Sequence, residues 1–126
     1  MKPPPLRYVV LRHEGIADPH FDFMLELAPG AALTTWRSDT WPFREITPLT
    51  PLDDHRREYL TYEGPVSGGR GQVTRVAGGE YDLIHKGRVM LIVRLAGLEP
   101  DEWLISDTPG GSIAFPARGT SAAPEG

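Results

Sequence analysis

The sequence predicts an all-β protein, a small closed or nearly closed antiparallel barrel of about seven or eight strands. Three observations lead there. Short apolar or alternating segments recur along the chain with turn residues between them. Fourteen glycines and thirteen prolines in 126 residues favour tight turns and short strands over long helices. No segment sustains a 3.6-residue apolar period over helical length, and no internal repeat is present. A chain of this size fits one domain that can bury a real core. The expected barrel covers residues 1–116, and the small, polar residues 117–126 read as a disordered tail.

Pro3, Pro4 and Pro5 form a stiff extended lead-in. Residues 8–12, rich in β-branched and aromatic side chains, read as the first strand. Residues 20–27 are the second, because their polarity alternates strictly. Pro29 and Gly30 signal a turn, and residues 33–37 read as a third strand, hairpin-paired with the second. Residues 40–52 contain Pro42, Pro48 and Pro51, so a loop with at most a short strand is expected. Residues 53–62 fit either a strand or a helix, and in both His55 and Tyr59 are neighbours.

Residues 63–71 form a glycine-rich connection. No Lys-Ser or Lys-Thr follows it and no helix opens after it, so it is not a phosphate-binding P-loop. Residues 72–76, 81–85, 89–95 and 103–106 are four more strands, the first two separated by Gly78-Gly79. Residues 112–115 read as a last short strand. Trp36 and Trp103 read as core aromatics, and His85 as a turn residue before Lys86-Gly87.

Composition narrows the function classes. With no cysteine, disulfides and thiolate metal sites are excluded. A net charge of −4 argues against a broad basic nucleic-acid surface, though Arg56, Arg57, Arg70, Arg75, Lys86, Arg88 and Arg94 leave room for a local cationic groove. The first residues lack the apolar run of a signal peptide and no stretch has the length of a membrane span, so a monomeric cytoplasmic protein is expected.

The chemistry concentrates between Arg12 and Glu26. Phe21, Phe23, Leu25 and Leu27 fall on one face of the second strand, and His20, Asp22, Met24 and Glu26 on the other, expected to be wet. His20 and Asp22 are then about 7 Å apart along one face from the rise per residue. His13, at the end of the first strand, is the natural third ligand across the turn. Two imidazoles and a carboxylate suit a divalent first-row ion such as manganese, iron or zinc. The same pattern also fits hydrogen-bonded strand histidines and a solvated aspartate.

In order and spacing, these blocks resemble a known family. They are His13, His20-Phe-Asp22-Phe-Met-Leu-Glu26-Leu, Leu33-Thr-Thr-Trp36, Asp54-His55-Arg-Arg-Glu-Tyr59 and Tyr62-Glu-Gly64. Together they resemble the 3′-phosphoesterase domain of bacterial DNA ligase D, which also occurs free-standing. The resemblance runs from Tyr8 to about Asp107. It implies a small β-barrel with a crescent groove and a manganese-dependent hydrolase, with zinc or cobalt as other ions. Such an enzyme removes a 3′-terminal ribonucleoside and then the 3′-phosphate left behind. The implied partners are nucleic-acid 3′ ends of a primer-template and the ligase or polymerase of an end-joining repair system. Carried over by position, His13, His20 and Asp22 would hold the metal, and His55 and Tyr59 would contact the reacting phosphate. Arg70, in the glycine-rich loop, is a further candidate for a phosphate backbone.

Two departures stand out. The turn between His13 and His20 is one residue longer than usual, which a loop absorbs easily. Met24 stands where the family has a phosphate-binding arginine. Removing one preorganised donor of that kind costs about 2–4 kcal/mol in a transition state. Arg57 is the candidate replacement if residues 53–61 form a strand, because it would then share a face with His55 and Tyr59.

Two other classes compete. A barrel that kept its metal or groove and lost catalysis would be an end-binding module. A cupin-like iron enzyme would use His20, Asp22 and a distant histidine, but His55 and His85 are the only downstream choices and neither explains His13.

Overall fold

A computed structural model describes residues 4–117 of the chain. Of the expected tail, residues 117–126, all but Ala117 lie outside the described residues, and the Ala117 amide donates to the Glu102 carbonyl at 2.9 Å. Nine strands follow in order: β1 (Leu6–Glu14), β2 (His20–Glu26), β3 (Leu33–Ser38), β4 (Thr47–His55), β5 (Gly64–Pro65), β6 (Gln72–Lys86), β7 (Met90–Arg94), β8 (Glu102–Thr108) and β9 (Gly111–Pro116). One 3-10 turn, Arg57–Leu60, lies between β4 and β5. The strands pair in the order β1-β2-β3-β4-β9-β8-β7-β6, and β6 returns to pair with β1. The result is a closed eight-stranded antiparallel barrel, with β5 added outside it on the edge of β6. No helix among the described residues is long and apolar enough to cross a membrane.

Alternation along the strands divides the apolar residues into two cores. The larger takes side chains from all eight barrel strands, including Val10, Phe23, Trp36, Leu49, Tyr81, Val93, Trp103 and Ala114. It therefore fills the interior. Trp36 and Trp103 belong to it, as expected. The smaller core comprises Val9, Leu11, Met24, Leu33, Val73 and Leu60, with Tyr59 and Val66 packed against it. Its strand residues have the opposite parity to Val10 and Phe23, so it lies on the outer face of β6-β1-β2-β3. The 3-10 turn and the loop after β5 cover it.

This second core corrects one expectation. The face of β2 carrying His20, Asp22, Met24 and Glu26 is buried, not wet. Alternation of polarity reports two different environments, and here both are under protein.

Three other segments differ from the expectation. Residues 47–55 form a full strand despite Pro48 and Pro51. Thr47, Pro48 and Leu49 pair only with β9, while Thr50, Pro51 and Leu52 pair only with β3. Each half thus keeps an unpaired side, the setting in which a strand accommodates proline. Residues 53–62 are neither wholly strand nor helix: β4 ends at His55 and the 3-10 turn begins two residues later. Residues 72–86 form one long strand that runs through Gly78 and Gly79. Its first part pairs with β1 and its last part with β7. A Cβ at Gly78 would lie 2.7 Å from an Arg75 guanidinium nitrogen, so a bare backbone there makes room for that side chain. His85 lies within this strand, near its end, rather than in the turn itself.

Candidate metal and phosphate site

The β1-β2 ladder sets the positions of the three candidate ligands. His13 and His20 are register partners, and Leu11 is opposite Asp22. His13, His20 and Asp22 therefore converge on the outer face, and one ligand atom from each lies within 4.8 Å of the others. His20 Nε2 is 3.2 Å from Asp22 Oδ1, and His13 Nδ1 is 3.7 Å from Asp22 Oδ2.

Hydrogen bonds on the far side of each ring decide what faces inward. His13 Nε2 lies 2.7 Å from the Arg70 carbonyl, and His20 Nδ1 lies 2.8 Å from the Asp18 carbonyl. A carbonyl only accepts, so each of these nitrogens carries the proton. In the neutral rings, His13 Nδ1 and His20 Nε2 are then lone pairs directed at the Asp22 carboxylate. Buried Asp22 Oδ1 has no hydrogen-bond partner among the described residues. Lone pairs this close repel one another unless positive charge lies between them. The residues thus fit a divalent cation, with the backbone carbonyls acting as the outer supports that metal-binding histidines commonly have.

His55 and Tyr59 arrive from the other side. His55 ends β4 as the register partner of Leu33, and the 3-10 turn carries Tyr59 back over it. Their ring centroids are 5.6 Å apart. His55 Nδ1 donates to the Asp53 carbonyl at 2.9 Å, leaving Nε2 free for chemistry. A small pocket of about 120 Å³ is lined by His13, Asp22, Met24, His55, Tyr59 and Arg70 together. Six of the side chains singled out in the sequence therefore share one cavity, and His20 stands directly behind Asp22.

Arg57 does not join them. It lies in the 3-10 turn, not on a strand, and its guanidinium forms an ion pair with Glu26. It holds the turn down and does not share a face with His55 and Tyr59 as the strand reading would have it. Met24 lies at the floor of the pocket, 1% exposed, within the smaller core. Arg70 contributes differently from the expectation: its guanidinium turns back onto Ser67, with Nε 2.7 Å from the Ser67 carbonyl. What it offers His13 is its own carbonyl.

Three residues at the site were not singled out in the sequence. Asp18 orients His20 through its backbone oxygen. Arg37, the register partner of Asp22, forms an ion pair with the Asp18 carboxylate. That hydrogen bond holds the Asp18 carboxyl below its ordinary range and the Arg37 guanidinium above its own. Gly71 adopts φ +76°, and a Cβ there would lie 2.0 Å from the Glu14 carbonyl oxygen. Only glycine lets the loop approach β1 closely enough to bring the Arg70 carbonyl to His13. A signal for the first existed, since Asp precedes both His20 and His55 by two residues and both rings bond back to that carbonyl.

Comparison with protein-family models and with curated proteins finds no match to this chain.

Proposed function

We propose that this protein is a divalent-metal-dependent phosphoesterase that trims the 3′ ends of nucleic acids, removing a terminal ribonucleoside and then the 3′-phosphate. One observation carries the reading. Two imidazole lone pairs and an unpartnered buried carboxylate oxygen face a single point, and His55 and Tyr59 look onto the same small cavity. The likeness of these blocks to the ligase D phosphoesterase domain supports it, and manganese is the ion that likeness implies.

His13 Nδ1, His20 Nε2 and Asp22 would hold the ion. When bound, it supplies positive charge that polarises a phosphoryl oxygen. The chain's own groups do the rest. The Tyr59 hydroxyl donates a hydrogen bond to a second phosphate oxygen. His55, protonated at both ring nitrogens before the step, gives its Nε2 proton to the departing oxygen and keeps the Nδ1 proton on the Asp53 carbonyl. The Arg70 and Asp18 carbonyls fix both ligand rings, so little reorganisation is needed as charge develops.

Met24 and the Arg70 guanidinium turned back onto Ser67 favour a second reading, an end-binding module without catalysis, because among the described residues no unengaged guanidinium lines the pocket. A single experiment separates the two. Purified protein is incubated with manganese and a primer-template ending in a 3′-ribonucleotide or a 3′-phosphate. Trimming that disappears in His13→Ala and His55→Ala supports the enzyme. No trimming by the unaltered chain removes it.

A further inference from the structure

We propose that a second, larger pocket beside the site receives the base of the departing nucleoside, stacked against Tyr62. This inference rests on the phosphoesterase reading and names the group that leaves.

The pocket beside the phosphate site has a volume of about 300 Å³. It shares Tyr59 and Val66 with the smaller one, so the two cavities meet at the Tyr59 ring. Tyr62 forms its aromatic wall. Tyr59 and Tyr62 meet edge to face at 90°, with centroids 5.8 Å apart. Tyr62 is 37% exposed, so its ring is open to a partner. Its hydroxyl donates to the Pro65 carbonyl, which holds the ring in place before any ligand arrives. Gly64 makes this possible: a Cβ there would lie 3.1 Å from the Tyr62 hydroxyl.

Size and direction identify the occupant. The smaller cavity suits a phosphate and an ion, whereas the larger has the scale of a planar ring. The proton-holding His55 packs on Tyr59, so the departing oxygen lies on the Tyr59 side of the phosphorus. Whatever that oxygen carries is directed into the Tyr62 pocket. Hydrolysis adds water across the P–O5′ bond: hydroxide goes to phosphorus and the proton to O5′. The departing molecule is then a nucleoside with a free 5′-hydroxyl. An aromatic face reads every base alike, so the pocket binds any of the four with similar strength.

Calorimetry on the full manganese-loaded chain tests this with adenosine 5′-monophosphate and ribose 5-phosphate. The nucleotide binds about tenfold or more tightly than the sugar phosphate, from the usual strength of base–aromatic stacking. Tyr62→Ala removes that difference and leaves ribose 5-phosphate affinity unchanged. In the unaltered protein, nuclear magnetic resonance shows the Tyr62 ring signals shifting upfield with the nucleotide and not with the sugar phosphate, which needs no variant. Equal affinity for the two ligands, a preference that survives Tyr62→Ala, or unmoved Tyr62 signals overturn the inference while the phosphoesterase reading stands. Failure of both ligands to bind overturns the two together.

Discussion

His13 and His20 face each other across the first hairpin with ring centroids 5.1 Å apart, and each is held from behind by a backbone carbonyl. The pair is pre-set with its lone pairs forward. Asp22, between them, has an oxygen with no hydrogen-bond partner among the described residues. Such a cluster is costly without a cation and favourable with one.

Metal therefore decides the size of a substitution's effect. In chelator, Asp22→Asn stays within about 1 kcal/mol of the original protein, because no hydrogen bond is lost. With manganese at a hundredfold over its dissociation constant, the original protein gains about 2.7 kcal/mol and Asp22→Asn gains far less. Urea unfolding with and without metal reads both outcomes.

The loop behind His13 contributes to affinity. Gly71→Ala forces a Cβ onto the Glu14 carbonyl and strains a left-handed residue, so the loop withdraws and takes the Arg70 carbonyl with it. Loss of such an outer support weakens metal binding by about 10–100-fold. A metal titration followed by calorimetry measures it, and Gly69→Ala is the control, since at φ +69° it carries the same left-handed strain but nothing lies within 4 Å of its Cβ position.

Glu26 anchors the 3-10 turn that bears Tyr59. Its carboxylate accepts from the Arg7 and Gly30 amides at 2.9 Å each and pairs with Arg57. Burial pushes its pKa up, but these three donors outweigh burial and the net shift is downward from 4.5. A depressed folded pKa adds stability above the unfolded value, and that stability is lost as pH falls through the folded value. Unfolding midpoints of the original protein should therefore drop below about pH 4.5 more steeply than those of Glu26→Gln. At neutral pH, Glu26→Gln costs about 1.5–3 kcal/mol, the worth of one charge-assisted bond.

Met24 joins the site to the smaller core. Met24→Ala leaves a cavity among Leu11, Leu33 and Val73 and costs about 2–5 kcal/mol by denaturant unfolding. The same cavity lies beside the pocket that His55 and Tyr59 line, so the substitution also loosens Tyr59, which packs on that core.

The barrel was legible because alternation and turn chemistry are local. Tyr8, Val10, Phe23 and Leu25 declare an inner face by parity alone, and the positions of Trp36 and Trp103 follow. The sequence predicts a break at Gly78-Gly79 where the strand runs on, because glycine marks both turns and bends. Only pairing with β1 distinguishes the two. Pro48 and Pro51 misled for a similar reason, since which side of a strand stays unpaired depends on its neighbours.

The same boundary runs through the site. Residue type and spacing nominated His13, His20 and Asp22, because ligand chemistry is carried by the side chain itself, and the family resemblance added His55 and Tyr59. Whether Arg57 served the phosphate or Glu26, whether Arg70 offered its guanidinium or its carbonyl, and whether the polar face of β2 was wet or covered were decided by the fold. Those outcomes depend on which distant groups close over a side chain, and a linear order of residues does not contain that distance.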